Sequence, residues 1–318
     1  MRLVFAGTPS VALPSLEALL ASEHELAAVV TRPDAARGRS KRLVPSEVGQ
    51  WAADHGIPTL KPTHPRDPEF VAALADLAPD ACPVVAYGAL VPQHVLDIPR
   101  YGWINLHFSL LPRWRGAAPV QRAIMAGDEV TGATTFRLVR ELDAGPVYGE
   151  TQLALAGTET AGDVLAALAD TGARLLLDTI DALPTTEPTP QTDEDAVTLA
   201  PKITVEEARL DWAHPAVELD RLVRGCSPEP MAWTTLRQAQ GPLRQAQGPE
   251  GERFKVALAR PTNETGLAPG QVRAEKRRVL VGTGTTALEL VRVQPQGKKE
   301  MAGADWGRGL QGAEVRFA

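Results

Sequence analysis

The segment RLVFAGTPSVALPSLEALL, residues 2–20, places a buried strand before a helix, which is how an α/β fold begins. The apolar run RLVFAG ends in Gly-Thr-Pro, a sequence typical of the turn after a strand. Leu16, Leu19 and Leu20 then follow at helical spacing. Pro14 suits the first turn of a helix, where no backbone N–H is needed. The segment therefore predicts a strand, a turn and a helix that packs through its leucine face.

Three further apolar runs repeat this pattern: LAAVVT, ACPVVAY and WINLHFS, with helical stretches around residues 46–55 and 68–77. Strands that are apolar throughout are buried on both faces, as in a parallel sheet covered by helices. GATTFRLV and VYGETQLAL alternate more cleanly and are expected nearer a sheet edge. We therefore predict a Rossmann-like, mostly parallel sheet with helices on both faces. AGTPSVALPS lacks the three glycines of a dinucleotide fingerprint, so a nicotinamide cofactor is not expected.

The domain organisation follows from a change of pattern after the longest helical segment. A capping pair, Thr160 and Asp163, and apolar residues at helical spacing predict a helix over residues 160–183. Residues 184–208 begin with Pro, Thr and acidic residues without periodicity and are expected to form a linker. Short β-like runs separated by Gly and Pro then predict a small, OB-like β-barrel over residues 209–318. The first domain is expected to cover residues 1–183.

Residues 236–249 contain two copies of the heptapeptide LRQAQGP. Two copies are too few to form a solenoid, and Gln, Gly and Pro contribute little to a hydrophobic core. We expect an exposed insertion between two strands of the second domain.

Composition excludes several classes of protein. A content of 44% hydrophobic and 23% charged residues is typical of soluble globular proteins. No apolar run reaches the roughly 18 residues of a membrane helix, and the N-terminus reads as a strand rather than a signal peptide. Cys82 and Cys226 are isolated, which argues against a disulfide framework and the usual zinc spacings. We expect a cytoplasmic protein without a metal.

The charge is unevenly distributed along the chain. The net charge of −6 divides into −11 over residues 1–208 and +5 over residues 209–318. The segment TRPDAARGRSKRLVP, residues 31–45, carries five cations and a single acid, Asp34. Such a segment is either a solvated surface loop or a contact site for a polyanion such as nucleic acid.

The densest group of polar residues is in INLHFSLLPRWRGAAP, residues 104–119. Alternate residues of a strand share a face, so Asn105, His107 and Ser109 of the predicted strand WINLHFS are expected to point the same way. Asn105 and His107 lie where the strand runs out into a loop, the end at which ligands bind in open α/β folds. Asn can donate a hydrogen bond and His can donate or accept near neutral pH. Asp143, before an Ala-Gly-Pro turn, is a second candidate. Structural roles, with His107 bound to a backbone carbonyl and Asp143 capping the turn, remain open on these patterns alone.

Together these segments resemble the folate-dependent formyltransferases. The resemblance covers nearly the whole chain and rests on VFAGTP, RPDAARGRSKRLVPS, VVAYG, SLLPRWRGAAPVQ, GDEVTGATTF, LDAGPVY, KITVEEARLDW and QPQGKKEM. The run SLLPRWRGAAP, with its flanking motifs in this order, is the most specific part. Two features depart from the family pattern: Phe108, where the family often has a small residue, and the heptapeptide repeat.

The resemblance implies a reaction and its residues. The co-substrate would be 10-formyltetrahydrofolate, with no metal. The acceptor would be the α-amino group of methionyl initiator tRNA, bound by a monomer. The catalytic residues would be Asn105, His107 and Asp143. Asn105 and His107 would stabilise a tetrahedral intermediate, and Asp143 would assist proton transfer. The folate site would comprise Ser109, Leu110, Leu111 and Pro112, and the residues reaching the tRNA acceptor stem would be Arg37, Arg39, Lys41 and Arg42.

Three alternatives remain open on the sequence. A formyltransferase could act on a small amine such as an amino-sugar nucleotide, because one catalytic set serves several acceptors. A relative could hydrolyse formyl-folate with no acceptor. A non-catalytic tRNA-binding protein could keep the fold, although the joint presence of the three candidate catalytic residues argues against it.

Overall fold

The computed structural model describes residues 1–37, 42–238, 251–311 and 314–318. The chain divides into two compact units, each made of discontinuous segments. The first unit contains Met1–Pro119, Val130–Ala154 and Leu165–Ala200, and the second contains Val120–Glu129, Leu155–Val164 and Pro201–Ala318. The domain boundaries given by the sequence, 1–183, 184–208 and 209–318, stay a prediction.

The first unit is built on a seven-stranded sheet. Its strands, with two small strand pairs beside it, are β1 (Arg2–Gly7), β2 (Glu25–Val30), β3 (Ala35–Arg37), β4 (Arg42–Val44), β5 (Thr59–Leu60), β6 (Cys82–Val85), β7 (Trp103–His107), β8 (Arg115–Gly116), β9 (Val130–Arg137), β10 (Val147–Ala154) and β11 (Leu199–Ala200). The order in the sheet is β10-β9-β7-β6-β1-β2-β5. The five strands from β7 to β5 are parallel, and β9 and β10 are antiparallel. The predicted Rossmann-like, mostly parallel sheet is confirmed.

Helices lie between the parallel strands and continue into the second half of the chain. They are α1 (Leu13–Leu20), α2 (Glu47–Asp54), α3 (Pro68–Leu77), α4 (Gln93–Leu96), α5 (Pro119–Ala126), α6 (Ala161–Ala182), α7 (Ala216–Gly225) and α8 (Gly303–Gly309). In α6 the predicted capping pair is present, because Thr160 and Asp163 exchange hydrogen bonds at the start of the helix.

The opening segment forms the predicted strand, turn and helix. Leu3, Val4 and Phe5 of β1 are fully buried, as the central position of that strand in the sheet requires. Leu16 and Leu19 of α1 are also buried, but Leu20 is 44% exposed. The prediction was wrong for Leu20, because the helix ends there and the chain turns away.

The second unit contains a nearly closed antiparallel barrel, which confirms the predicted β-rich domain. Its strands are β12 (Ala232–Gln238), β13 (Glu252–Pro261), β14 (Val272–Ala274), β15 (Val279–Val281), β16 (Leu288–Pro295), β17 (Met301–Ala302) and β18 (Val315–Phe317). The order is β14-β15-β16-β13-β12-β18, with β17 beside β16. The N–H of Phe317 donates to the carbonyl of Gly270 at 2.9 Å, which brings the two ends together. The repeat predicted at residues 236–249 begins in β12, and its part from residue 239 onward lies outside the described residues.

Candidate active site

Strand β7 carries Asn105 and His107 to the carboxyl end of the parallel sheet. Asn105 lies opposite Val84 of β6 and Phe136 of β9, and His107 lies opposite Thr134. The buried side chains of Trp103 and Ile104 fix the start of the strand. Asn105 is half-buried, and within the described part of the chain its amide has no hydrogen-bonding partner. The amide can therefore donate to a bound substrate without breaking a protein contact.

The imidazole of His107 is buried and its orientation is defined at both nitrogens. Nε2 lies 2.9 Å from the carbonyl oxygen of Trp114. Because a carbonyl can only accept, Nε2 carries the hydrogen in the neutral ring. Nδ1 faces Oδ2 of Asp143 at 3.9 Å. Burial lowers the pKa of His107, and the Asp143 carboxylate and the Trp114 carbonyl oppose this shift. His107 is therefore neutral near pH 7.

Asp143 lies in the loop between β9 and β10, in a backbone conformation that is uncommon for non-glycine residues and that Asp tolerates better than most. Its φ angle is +48°, in the left-handed region. The backbone N–H of Gly116 donates to Oδ2 of Asp143 at 2.8 Å. Gly116 itself has a φ angle of +131°. The carboxylate is thus directed toward His107 by a loop that is separate in sequence.

The proposed folate segment, Ser109 to Pro112, follows directly after β7. The hydroxyl of Ser109 donates to the carbonyl of Arg113 at 2.7 Å, and Ser109 is 1% exposed. Thr134 accepts from the N–H of Leu111 at 3.2 Å and donates to the carbonyl of Ser109 at 2.7 Å. The side chains of Leu110, Leu111 and Pro112 are half-buried.

The structure differs from the sequence prediction at Ser109, and it adds one close contact that the sequence did not indicate. Strand β7 ends at His107, so Ser109 lies in the following turn and the alternation does not extend to it. Gly132 of β9 leaves room for Leu110, because a Cβ there would lie 2.5 Å from Cδ2 of Leu110. The bulky Phe108 is buried.

Segment 189–200, which was predicted to be part of a linker, contacts both loops of the site. The N–H of Trp114 donates to the hydroxyl of Thr198 at 2.8 Å. Gln191 donates to the carbonyls of Asp143 and Gly145 at 2.9 and 2.8 Å and accepts from Arg115. Sequence reasoning missed Gln191, because no local pattern marks a side chain that binds a loop 48 residues away.

The described ends of the basic segment, β3 and β4, pair in antiparallel fashion, with Arg37 opposite Arg42. Arg42 is exposed, whereas Arg39 and Lys41 lie outside the described residues. The one acid of the segment, Asp34, forms an ion pair with Lys61 at 2.6 Å. The structure thus places Arg42 at the surface. The tRNA contact assigned to Arg37, Arg39, Lys41 and Arg42 stays a prediction.

No group of three or more metal-ligating side chains could hold a metal ion in the described ranges of the chain. Cys82 and Cys226 are both buried free thiols, and burial raises the pKa of each. In the same described residues, no helix is both long and apolar enough to cross a membrane.

Comparison with known proteins shows the family of this chain. Residues 1–180 match the family model for formyl transferase, and residues 202–311 match the model for the formyl transferase C-terminal domain. The chain belongs to the formyl transferase family. The family resemblance inferred from the sequence is confirmed.

Curated relatives within the formyl transferase family match over nearly their whole length. The methionyl-tRNA formyltransferase of Streptomyces griseus subsp. griseus is 56% identical over 315 residues, which are 98% of this chain and 97% of that protein. The protein of the same name from Nocardioides sp. is 56% identical over 316 residues, 98% of this chain and 96% of that protein.

A solved structure shares the fold of both parts of this formyl transferase. The crystal structure of HypX from Aquifex aeolicus in complex with tetrahydrofolic acid has a TM-score of 0.67 and 19% sequence identity. The match covers 98% of this chain and 48% of HypX, so this chain spans about half the length of that protein. At this identity the likeness concerns the fold alone.

Proposed function

We propose that this formyl transferase transfers the formyl group of 10-formyltetrahydrofolate to the α-amino group of methionyl initiator tRNA. The observation that carries the proposal is the 56% identity to proteins named methionyl-tRNA formyltransferase, over 98% of this chain and 97% of the relative. Both the catalytic unit and the C-terminal barrel lie within the matched length.

The reaction requires a group that stabilises negative charge. The amine nitrogen attacks the formyl carbon, the C–N bond forms, and the carbonyl oxygen becomes an oxyanion in a tetrahedral intermediate. The intermediate then collapses, and the bond between the formyl carbon and N10 of the folate breaks. The sequence pointed to Asn105 and His107 as the two donors. Because the Nε2 hydrogen of His107 is bound by the Trp114 carbonyl, we assign the oxyanion to the Asn105 amide, which has no partner within the described residues.

His107 and Asp143 are suited to moving the proton from the attacking amine to the leaving N10. The Nε2 hydrogen of His107 is held by Trp114, so the basic nitrogen of the neutral ring is Nδ1. Nδ1 can take the proton from the amine as the C–N bond forms, and the facing carboxylate of Asp143 stabilises the resulting imidazolium. Protonated Nδ1 then returns the proton to N10. No covalent enzyme intermediate is required.

The remaining assignments belong to the same proposal. The folate site would be lined by Ser109, Leu110, Leu111 and Pro112, because these residues follow directly after the strand that ends at His107. Arg37, Arg39, Lys41 and Arg42 would contact phosphates of the acceptor stem. The enzyme would act as a monomer in the cytoplasm, where initiator tRNA is charged and used.

The test is formyl incorporation from 10-formyltetrahydrofolate into three acceptors: methionyl initiator tRNA, free methionine and an amino-sugar nucleotide. Transfer to the charged tRNA alone is the expected result. Transfer to a small amine would keep the reaction and overturn the acceptor. Formate release without any acceptor would indicate a hydrolase, and a stoichiometric RNA complex without formyl transfer would indicate a binding protein.

A further inference from the structure

The geometry points to Gln191 as a positioning residue that holds the Asp143 loop in its catalytic conformation. This inference rests on the proposed function of Asp143 and adds a residue from segment 189–200, outside the sequence motifs of the site. Gln191 touches neither His107 nor Asn105 through any hydrogen bond in the described structure. Its effect on the reaction would therefore pass through the backbone of Asp143.

All the hydrogen-bonding capacity of the Gln191 amide is used in this contact. Nε2 donates both its hydrogens, one to the carbonyl of Asp143 at 2.9 Å and one to the carbonyl of Gly145 at 2.8 Å. Oε1 accepts from Nη2 of Arg115 at 2.7 Å and from Nε at 3.2 Å. The carbonyls at one end and the guanidinium at the other fix the direction of the amide. Glutamate could keep the contact with Arg115 but could not donate to the carbonyls.

Support from Gln191 stabilises Asp143 because its backbone lies in the left-handed region, which Asp tolerates better than most residues but at some cost in free energy. The left-handed region costs a non-glycine residue free energy, and such residues persist where the surroundings hold them. Two groups hold Asp143: the Gly116 N–H binds its carboxylate, and the Gln191 amide binds its carbonyl. Without the second contact, the loop can relax to an ordinary φ angle, and the carboxylate then turns away from His107.

The contacts of Gln191 form a closed ring around the loop. Asp143 accepts from Gly116, which is adjacent to Arg115 in the chain, and Arg115 donates to Gln191. Gln191 in turn donates to Asp143. The ring joins the two loops that meet at His107, so the Gln191 amide and the Gly116 N–H together fix their separation. Loss of the ring is expected to displace the carboxylate without removing it.

The experiment compares Gln191→Glu with Gln191→Leu and with the control Gln152→Glu, which lies exposed on the edge strand β10. Both Gln191 variants are expected to lower kcat roughly 10- to 100-fold, with KM for charged tRNA changed less than about threefold. Gln152→Glu is expected to retain wild-type kcat. Wild-type kcat in Gln191→Glu would overturn the proposal, since that variant keeps the Arg115 contact but loses both donated hydrogen bonds.

A double-mutant cycle with Asp143→Asn separates positioning from a general structural role. If Gln191 acts through the carboxylate of Asp143, the Gln191→Glu substitution has little further effect on kcat in the Asp143→Asn background. An equal fold-loss in both backgrounds would mean that Gln191 supports the structure without positioning Asp143, and it would overturn the inference. Gln191→Glu is close in shape to the native residue, so it serves if Gln191→Leu fails to fold.

A readout that needs no turnover distinguishes this inference from the proposed function. The titration of His107 is followed by NMR in the wild type and in Gln191→Glu. Asp143 is the charged side chain that faces His107 and raises its pKa, so displacement of the carboxylate is expected to move the His107 titration to lower pH. An unchanged titration would overturn the positioning role, whereas absent formyl transfer by the wild type would overturn the proposed function alone.

Discussion

The backbone N–H of Gly116 lies 2.8 Å from Oδ2 of Asp143, although the two residues are 27 positions apart in the chain. The contact depends on glycine, because Gly116 has a φ angle of +131° and a Cβ there would lie 2.6 Å from the carbonyl oxygen of Ala200. We expect Gly116→Ala to lower the free energy of unfolding by about 1–3 kcal/mol. We also expect it to lower kcat. Chemical unfolding and the formyl transfer assay measure the two effects.

Gly56→Ala is the matched control for this substitution. Gly56 also has a positive φ angle, +66°, but a Cβ there would meet no atom within 4 Å. It is expected to cost some stability and to leave kcat unchanged. Equal losses of kcat in the two variants would contradict the role of Gly116 in directing Asp143.

Asn105→Ala tests the oxyanion donor. Because the amide has no hydrogen-bonding partner among the described residues, its removal leaves no buried group unsatisfied, and the melting temperature should stay close to that of the wild type. The loss of one donor to the oxyanion is expected to lower kcat by roughly 10²–10³. Single-turnover formyl transfer measures this step directly. Asn263→Ala replaces the other asparagine of the chain, which is exposed, and should behave as the wild type does.

His107 gives the free energy of unfolding a specific dependence on pH. Burial lowers its pKa below the ordinary value of about 6.5, so the unfolded chain takes up a proton at this residue before the folded protein does. As the pH falls through 6.5 toward the folded pKa, the unfolded state binds more protons and stability decreases. Below the folded pKa this contribution stays constant.

Replacement of His107 by Gln is expected to flatten that dependence, because Gln does not titrate and its amide can still donate to Trp114. Urea unfolding at pH 7, 6 and 5 measures the change. His94→Gln, at an exposed position, should reproduce the pH dependence of the wild type. A wild-type slope in His107→Gln would mean that other groups account for the acid sensitivity.

Neutralising Arg39, Lys41 and Arg42 together tests the proposed tRNA contact. The triple alanine variant is expected to raise KM for charged tRNA and leave KM for 10-formyltetrahydrofolate unchanged. Each lost phosphate contact should reduce the slope of log affinity against log salt concentration by roughly 0.7–0.9. The measurement is KM for tRNA over a series of KCl concentrations.

A control with the same change in charge uses Arg66→Ala, Arg100→Ala and Arg174→Ala, all at exposed positions of the first unit. This variant should show a wild-type salt dependence. If both triple variants weaken tRNA binding equally, the effect is one of net charge, and the basic segment loses its assigned role.

The sequence was sufficient for the sheet and for the residues within motifs. Apolar runs identify strands that are buried on both faces, and helical spacing identifies α6, because both signals depend on neighbours in the chain. The position of Asn105 and His107 at the end of β7 follows from the same signal. Family resemblance then supplied the roles proposed for them.

The remainder of the site depends on contacts between distant segments, which no local pattern records. Gln191 lies in a segment rich in Pro, Thr and acidic residues, a composition typical of linkers. Its hydrogen bonds to the loop of Asp143 join residues on either side of α6 in the chain, so they depend on the tertiary fold. Strand β7 ends at His107, and Ser109 instead bonds to Arg113 and Thr134. The local sequence pattern does not record this end.

The parallel pairing of β8 with β11 has a consequence for engineering. Leu199 and Ala200 pair with Arg115 and Gly116, so the chain as far as Ala200 belongs to the first unit and contacts the loops of the candidate site. A chimera joined at residue 183 would take Gln191 and Thr198 from one protein and their partners Asp143 and Trp114 from the other. Modular exchange between relatives should therefore place the crossover after Ala200, so that Gln191 and Thr198 stay with their hydrogen-bonding partners Asp143 and Trp114.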